Sequence, residues 1–107
     1  MPKIYIGDPK ASTRERVTVN GYPLNPRFDL RYHSPDGFAW GYRGSGPAQL
    51  ALALLADATG DDEIAQSYYQ DFKEEVIAKL EPDADFEMTD TEILEILEKI
   101  KERAKRR

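Results

Sequence analysis

The stretch from Gly41 to Leu55 constrains the fold of this chain more than any other. Gly41-Tyr42-Arg43-Gly44-Ser45-Gly46-Pro47 places three glycines in six positions and runs directly into Ala48-Gln49-Leu50-Ala51-Leu52-Ala53-Leu54-Leu55. Glycine reaches backbone conformations closed to other residues, and proline suits a first helical turn because its missing N–H would have no partner there. The stretch therefore reads as a glycine-rich turn feeding a helix, with Ser45 or Gly46 as the cap. Gln49 is the only polar residue between Ala48 and Leu55, so the helix has almost no face to give to water and is expected in the core. The loop at its N-terminus is then a natural frame for a site.

A chain of 107 residues suffices for one domain with a single core. It has no cysteine, which excludes disulfides, thiolate nucleophiles and cysteine metal sites and is compatible with a reducing compartment. Met1 to Ile6 is too short an apolar opening for a signal peptide, and the longest apolar run, Leu50 to Ala56, falls far short of a membrane span. These features predict a soluble, cytoplasmic protein with no membrane partner. The net charge of −5 is unevenly spread. Residues 1–50 carry seven Lys/Arg and four Asp/Glu, residues 51–98 two and fifteen, and residues 99–107 six and one. An acidic middle repels a phosphate backbone and argues against a broad nucleic-acid surface, although the basic ends leave room for a local contact.

Read in order, Lys3-Ile4-Tyr5-Ile6 is a short strand, expected at a sheet edge and stopped by Gly7-Asp8-Pro9. Arg16 to Val19, Asn20-Gly21 and Tyr22 to Leu24 form a hairpin pattern, because Asn-Gly supplies the positive φ angles of a tight turn. A second hairpin is expected from Phe28 to Tyr32, through the turn residues Ser34-Pro35-Asp36-Gly37, to Phe38–Tyr42. Its alternation sends Phe28, Leu30 and Tyr32 one way and groups Phe38, Trp40 and Tyr42, so both aromatic faces should meet the buried helix. That helix should end near Ala58, with Thr59-Gly60 as its stop. Asp61 or Asp62 caps a second, amphipathic helix of about five turns ending before Glu81-Pro82. Residues 82–88 read as an acidic connector. Thr89-Asp90-Thr91-Glu92 fits a capping box opening a third helix with Ile93, Ile96, Leu97 and Ile100 on one stripe. The basic residues 101–107 read as a frayed tail. The sum is a single α+β domain over 1–107: a small antiparallel sheet of two hairpins plus the N-terminal strand, followed by three helices on one face.

The glycine loop is the leading candidate site. Free N–H groups converge at a helix N-terminus and attract anions. There Gly44, Ser45 and Gly46 would offer backbone donors, Arg43 and Gln49 side-chain donors, and Trp40 or Tyr42 a stacking face for a nucleotide-like or other anionic ligand. The stretch has neither the Lys-Ser/Thr ending of a P-loop nor a dinucleotide fingerprint, and a tight connection whose glycines permit close packing is the more economical reading of it. His33 has no second histidine for a metal, and Ser34 beside it points to the opposite face, so neither makes a catalytic pair. Asp57, Asp61 and Asp62 are more economically read as caps and a solvated turn than as a cation site. No catalytic residue, cofactor or metal is assigned. The basic C-terminus offsets a helix dipole before it suggests phosphate binding.

Several of these stretches together resemble a family of small proteins of unknown function found in bacteria, archaea and their viruses. They are Arg16 to Leu24, Asp29-Leu30-Arg31, Ser34 to Phe38, Tyr69 to Val76 and above all Trp40-Gly41-Tyr42-Arg43-Gly44-Ser45-Gly46-Pro47-Ala48-Gln49-Leu50-Ala51-Leu52-Ala53. Arg43 stands where relatives more often have glycine. The resemblance implies a compact stand-alone domain in a mobile-element setting and no established activity. The sequence therefore predicts a non-enzymatic binding domain with its site at Trp40 to Gln49. The alternative is a protein-interaction or homo-oligomerisation module using a sheet edge or the last helix.

Overall fold

The apolar run after Pro47 forms a helix with no wet side. A computed structural model, which describes residues 2–106, has α1 at Ser45–Thr59 with every residue from Gly46 to Ala56 buried. Leu50, Leu52, Leu54 and Leu55 have no exposed area. The cap lies ahead of both predicted positions. Gly44 fills it in extended conformation, with no side-chain cap, so Pro47 sits in the third helical position rather than the first. At the far end Gly60 closes the helix and donates its N–H to the carbonyl of Ala56.

The second helix, α2, spans Asp62–Glu75 and buries Ala65, Tyr69 and Phe72. Its N-cap is Asp61, whose carboxylate accepts from the N–H groups of Glu63 and Ile64, satisfying two first-turn donors. The single five-turn helix expected here breaks at Val76 and continues as a 3₁₀ turn at Ile77–Lys79. The break carries Ile77 fully into the core and turns its carbonyl to accept the N–H of Gly41 at 3.0 Å. α3 spans Asp90–Lys105 behind the expected Thr89–Glu92 capping box, with Ile93, Leu97 and Ile100 buried. In its last turns Arg103 pairs with Glu75 of α2.

The four strands are β1 (Ile4–Gly7), β2 (Val17–Val19), β3 (Tyr22–Pro23) and β4 (Phe86–Thr89), in the order β3-β2-β1-β4 and all antiparallel. Asn20 and Gly21, at φ of +50° and +87°, make the tight hairpin turn that the sequence predicts. The sheet departs from expectation on its other side. β1 is central, not an edge, because the supposed acidic connector supplies β4 beside it. Phe86 and Met88 face inward while Glu87 is exposed, a period-2 pattern compressed into four residues. The Phe86 ring lies over Gly7, its cross-strand partner, and meets Trp40 edge-on at 4.8 Å.

The second predicted hairpin does not form. Arg27 takes a left-handed conformation at φ +57°, and its carbonyl accepts from the N–H groups of Leu30 and Arg31 at 3.0 and 3.3 Å, winding this segment into a turn. The turn at Ser34–Gly37 is present, closed by a 3.1 Å bond from the Gly37 N–H to the Ser34 carbonyl. Without strands the expected alternation fails. Phe38 and Trp40 enter the core, whereas Phe28, Tyr32 and Tyr42 are exposed. Residues 24–44 are thus a long irregular segment lying against α1 and α2.

The helices cover the sheet face that bears Tyr5, Val17 and Met88, leaving Ile4 and Ile6 exposed on the other face. At the end of α1 the Tyr5 hydroxyl donates to the Asp57 carboxylate at 2.7 Å, and Lys3 bonds both that carboxylate and the Asp57 carbonyl. Burial, reinforced by the neighbouring carboxylate, pushes the Tyr5 hydroxyl well above the ordinary tyrosine range. Among the described residues no helix is long and apolar enough to cross a membrane.

Candidate functional site

The predicted junction is only partly brought together. Tyr42, Arg43, Gly44, Ser45 and Gly46 lie side by side at the head of α1, but Trp40 and Gln49 are turned into the protein. Trp40 is 3% exposed and its indole N–H donates to the Ala84 carbonyl at 3.1 Å, so its faces are packed rather than open for stacking. The Tyr42 ring rests on the glycines. A side chain at Gly44 would come within 2.6 Å of that ring, and one at Gly46 within 2.7 Å of the Ala39 methyl and 3.2 Å of the Tyr42 hydroxyl. These glycines therefore serve close packing. Arg43 pairs with Glu74 at 3.2 Å on the surface, a contact of small energetic weight. Beside Tyr42 a hollow of about 270 Å³ is lined by Arg16, Pro82 and Asp83. The Arg16 guanidinium donates from Nη1 to the Phe38 carbonyl at 3.4 Å, while its buried Nε has no hydrogen-bond partner among the described residues.

Gln49 does something the sequence does not announce. Fully buried on α1, it hydrogen-bonds four backbone groups of the irregular segment. Its Nε2 donates to the carbonyls of Pro26 at 2.6 Å and Arg31 at 3.0 Å, and its Oε1 accepts from the N–H groups of His33 at 2.8 Å and Ser34 at 3.2 Å. An amide has two donor hydrogens and two acceptor lone pairs. All four are spent, so the side chain has nothing left for a ligand. It supplies the bonds that a partner strand would have given this segment.

Two further ties hold the same segment. The Arg27 guanidinium forks between Asp29 and Asp62, with contacts of 2.9 to 3.1 Å, and Arg27 holds the Asp29 carboxyl below the usual range. His33 Nε2 lies 2.7 Å from the Tyr69 hydroxyl. Burial first, then the nearby cations Arg31 and Lys73, lower the His33 pKa and favour the neutral ring. The carboxylates grouped in sequence part company: Asp57 faces Lys3 and Tyr5, Asp61 caps α2 and Asp62 takes Arg27. Among the described residues no cluster of three metal-ligating side chains occurs.

Pinned in this way, the segment forms one wall of an open cleft of about 360 Å³. Pro23, Leu24, Pro26, Phe28, Pro35 and Phe38 make its walls. Thr13, Arg14, Asn25 and Gly37 complete the lining. Phe28 and Tyr32 stack edge to face at 4.9 Å beside it, and both are exposed, Tyr32 by 66%. Pro23 also borders a shallow depression with Ile6 and Thr18 on the uncovered sheet face, so cleft and sheet face are contiguous. Sequence reading missed this surface because it assigned Phe28 and Tyr32 to a core-facing strand. The available signal was the run of prolines at 23, 26 and 35, which a regular ladder does not tolerate.

A family model matches residues 5–99, and that family is described as a family of unknown function (DUF6166). No curated protein and no solved structure matches the chain.

Proposed function

Because the chain belongs to that family of unknown function, and membership carries no activity with it, we propose from the geometry that it is a protein-interaction module. Its contact surface is the Pro23–Phe38 cleft with the adjoining sheet face. The observation that carries this reading is the placement of the large apolar side chains left in water. Phe28 lines the cleft with Tyr32 stacked against it, Ile6 lies next to it across Pro23, and Ile4 shares the uncovered sheet face with Ile6. Contiguous exposed apolar surface beside a concave wall marks interaction sites. A photo-crosslinking phenylalanine analogue in place of Tyr32 is expected to yield a discrete protein adduct in cells, and the same analogue in place of Leu94, exposed on α3, is expected to yield none. Equal labelling at both positions, or none at position 32, would contradict the reading. If the adduct is a second copy, light scattering will show mass rising with concentration.

An anionic or nucleotide-like ligand at Tyr42–Gly46 is the second reading. It is favoured by a helix N-terminus that no side chain caps and by the Arg16 hollow beside it, and disfavoured by the commitment of Trp40 and Gln49 elsewhere. A nucleotide that binds there should raise the melting temperature of the wild type, by about 2.7 kcal/mol of added stability at a hundredfold excess over Kd, and of Arg43→Ala less. No shift across a nucleotide panel removes it. The prokaryotic or viral setting that the sequence resemblance implies accords with either reading.

A further inference from the structure

We propose that the Pro23–Phe38 cleft receives an acidic peptide segment that seats an apolar side chain between the prolines and Phe28 and sets a carboxylate on Arg14. The inference rests on the interaction reading above and names its partner. The cleft lining contains one charge, Arg14, and no acidic residue. Arg14 is exposed, and among the described residues its side chain has no ion-pair or hydrogen-bond partner. Asn25 adds a donor. Its Oδ1 is taken by the Arg27 N–H at 2.9 Å, and no described bond uses its NH₂ group. An apolar wall with donors and a lone cation at its rim is complementary to an apolar side chain next to a carboxylate.

The other hollows lack this combination. The groove between α2 and α3 mixes Glu75 and Glu102 with Lys99, Arg103 and Arg106, and the hollow beside Tyr42 has both Asp83 and Arg16 in its lining. Strand addition is not the mode of docking, because β3 has two residues and Pro23 has no N–H to offer. Side-chain insertion is the mode that the cleft permits. A single-stranded nucleic acid could stack on Phe28 and Tyr32, but a chain of phosphates is held by a row of cations, and the cleft lining offers a single one, matched to a single carboxylate.

Fluorescence anisotropy on the intact protein tests this with four labelled probes. They are a short peptide with a central Leu-Phe pair flanked by aspartates, the same pair flanked by lysines, the aspartates around Gly-Gly, and an oligothymidylate. The first is expected to bind at least about tenfold more tightly than each of the others, and Arg14→Glu to transfer the preference to the lysine-flanked peptide at an unchanged melting temperature. Equal binding of the two Leu-Phe peptides would overturn the acidic assignment and leave the interaction reading standing. Tighter binding of the oligonucleotide, or no binding of any peptide, would overturn the inference, while crosslinking at position 32 decides the reading beneath it.

Discussion

Gln49→Leu is expected to lower stability by about 3–4 kcal/mol, although it replaces the one polar side chain on a buried apolar helix with a hydrophobic residue of similar size. By pattern alone the change improves the core. In the structure it strips partners from two carbonyls and two N–H groups at once, and a buried polar group left unsatisfied costs about 1–3 kcal/mol. Water admitted to the opened segment recovers part of that sum, which sets the estimate below the simple total. For a domain of this size the change amounts to a fall of roughly 12–25 °C in melting temperature. Gln49→Glu sharpens the test. The carboxylate keeps an acceptor for His33 and Ser34 but turns an oxygen toward the Pro26 and Arg31 carbonyls. Burial and those oxygens favour its protonated form, so its pKa is raised on folding. The stability that the protonated form contributes is present in acid and lost as pH rises through the raised value. The stability of this variant relative to wild type should therefore worsen from about pH 4 toward pH 7. Equilibrium denaturation at the two pH values reads this directly.

Gly41→Ala is expected to cost about 3 kcal/mol or more. Gly41 sits at φ +88° with backbone atoms of Pro82 only 2.6–2.7 Å from where a side chain would begin, and its N–H is held by the Ile77 carbonyl. Strain at such a φ costs about 1–3 kcal/mol, and forced displacement of packed backbone costs a further 1–3 kcal/mol or so. Gly21 is the control. It has nearly the same φ, +87°, and nothing within 4 Å of an added side chain, so Gly21→Ala should show the strain alone, roughly 1–2 kcal/mol. Equal costs for the two variants in urea denaturation would mean that the approach of Gly41 to Pro82 does not constrain the fold.

The elements whose information is local were legible in the sequence. The composition of α1, the Asn20-Gly21 turn and the Thr89–Glu92 box each declare themselves within a few residues and are where they are expected, and the cap of α2 is Asp61, one of the two candidates. The α+β class followed from them. What escaped depends on distant partners. Phe28–Tyr32 alternates like a strand, but its backbone winds into a turn on the Arg27 carbonyl, and its Arg31 carbonyl is taken by Gln49 on a helix. Phe86–Thr89 looks like a charged link, yet four residues suffice for a strand when Gly7 leaves room for the Phe86 ring. The candidate site divides in the same way. Tyr42 to Gly46 are neighbours as predicted, while Trp40 and Gln49 are drawn inward by Ala84 and by the loop carbonyls. Nothing within the sequence around Gln49 specifies those partners, since they come from residues 26 to 34. The cleft is a consequence of that tethering and could not be read before the tether was known.

Native-state hydrogen exchange at the His33 and Ser34 amides tests the tether most directly. Both N–H groups belong to an irregular segment, and the structure gives them one acceptor, the Gln49 side chain. They should exchange slowly in the wild type and at nearly unprotected rates in Gln49→Leu, while the amides that pair β1 with β4 stay protected under conditions where the variant remains folded. Exchange of His33 and Ser34 at free-loop rates in the wild-type protein would mean that Gln49 does not hold the segment, and the cleft built on it would have no fixed wall.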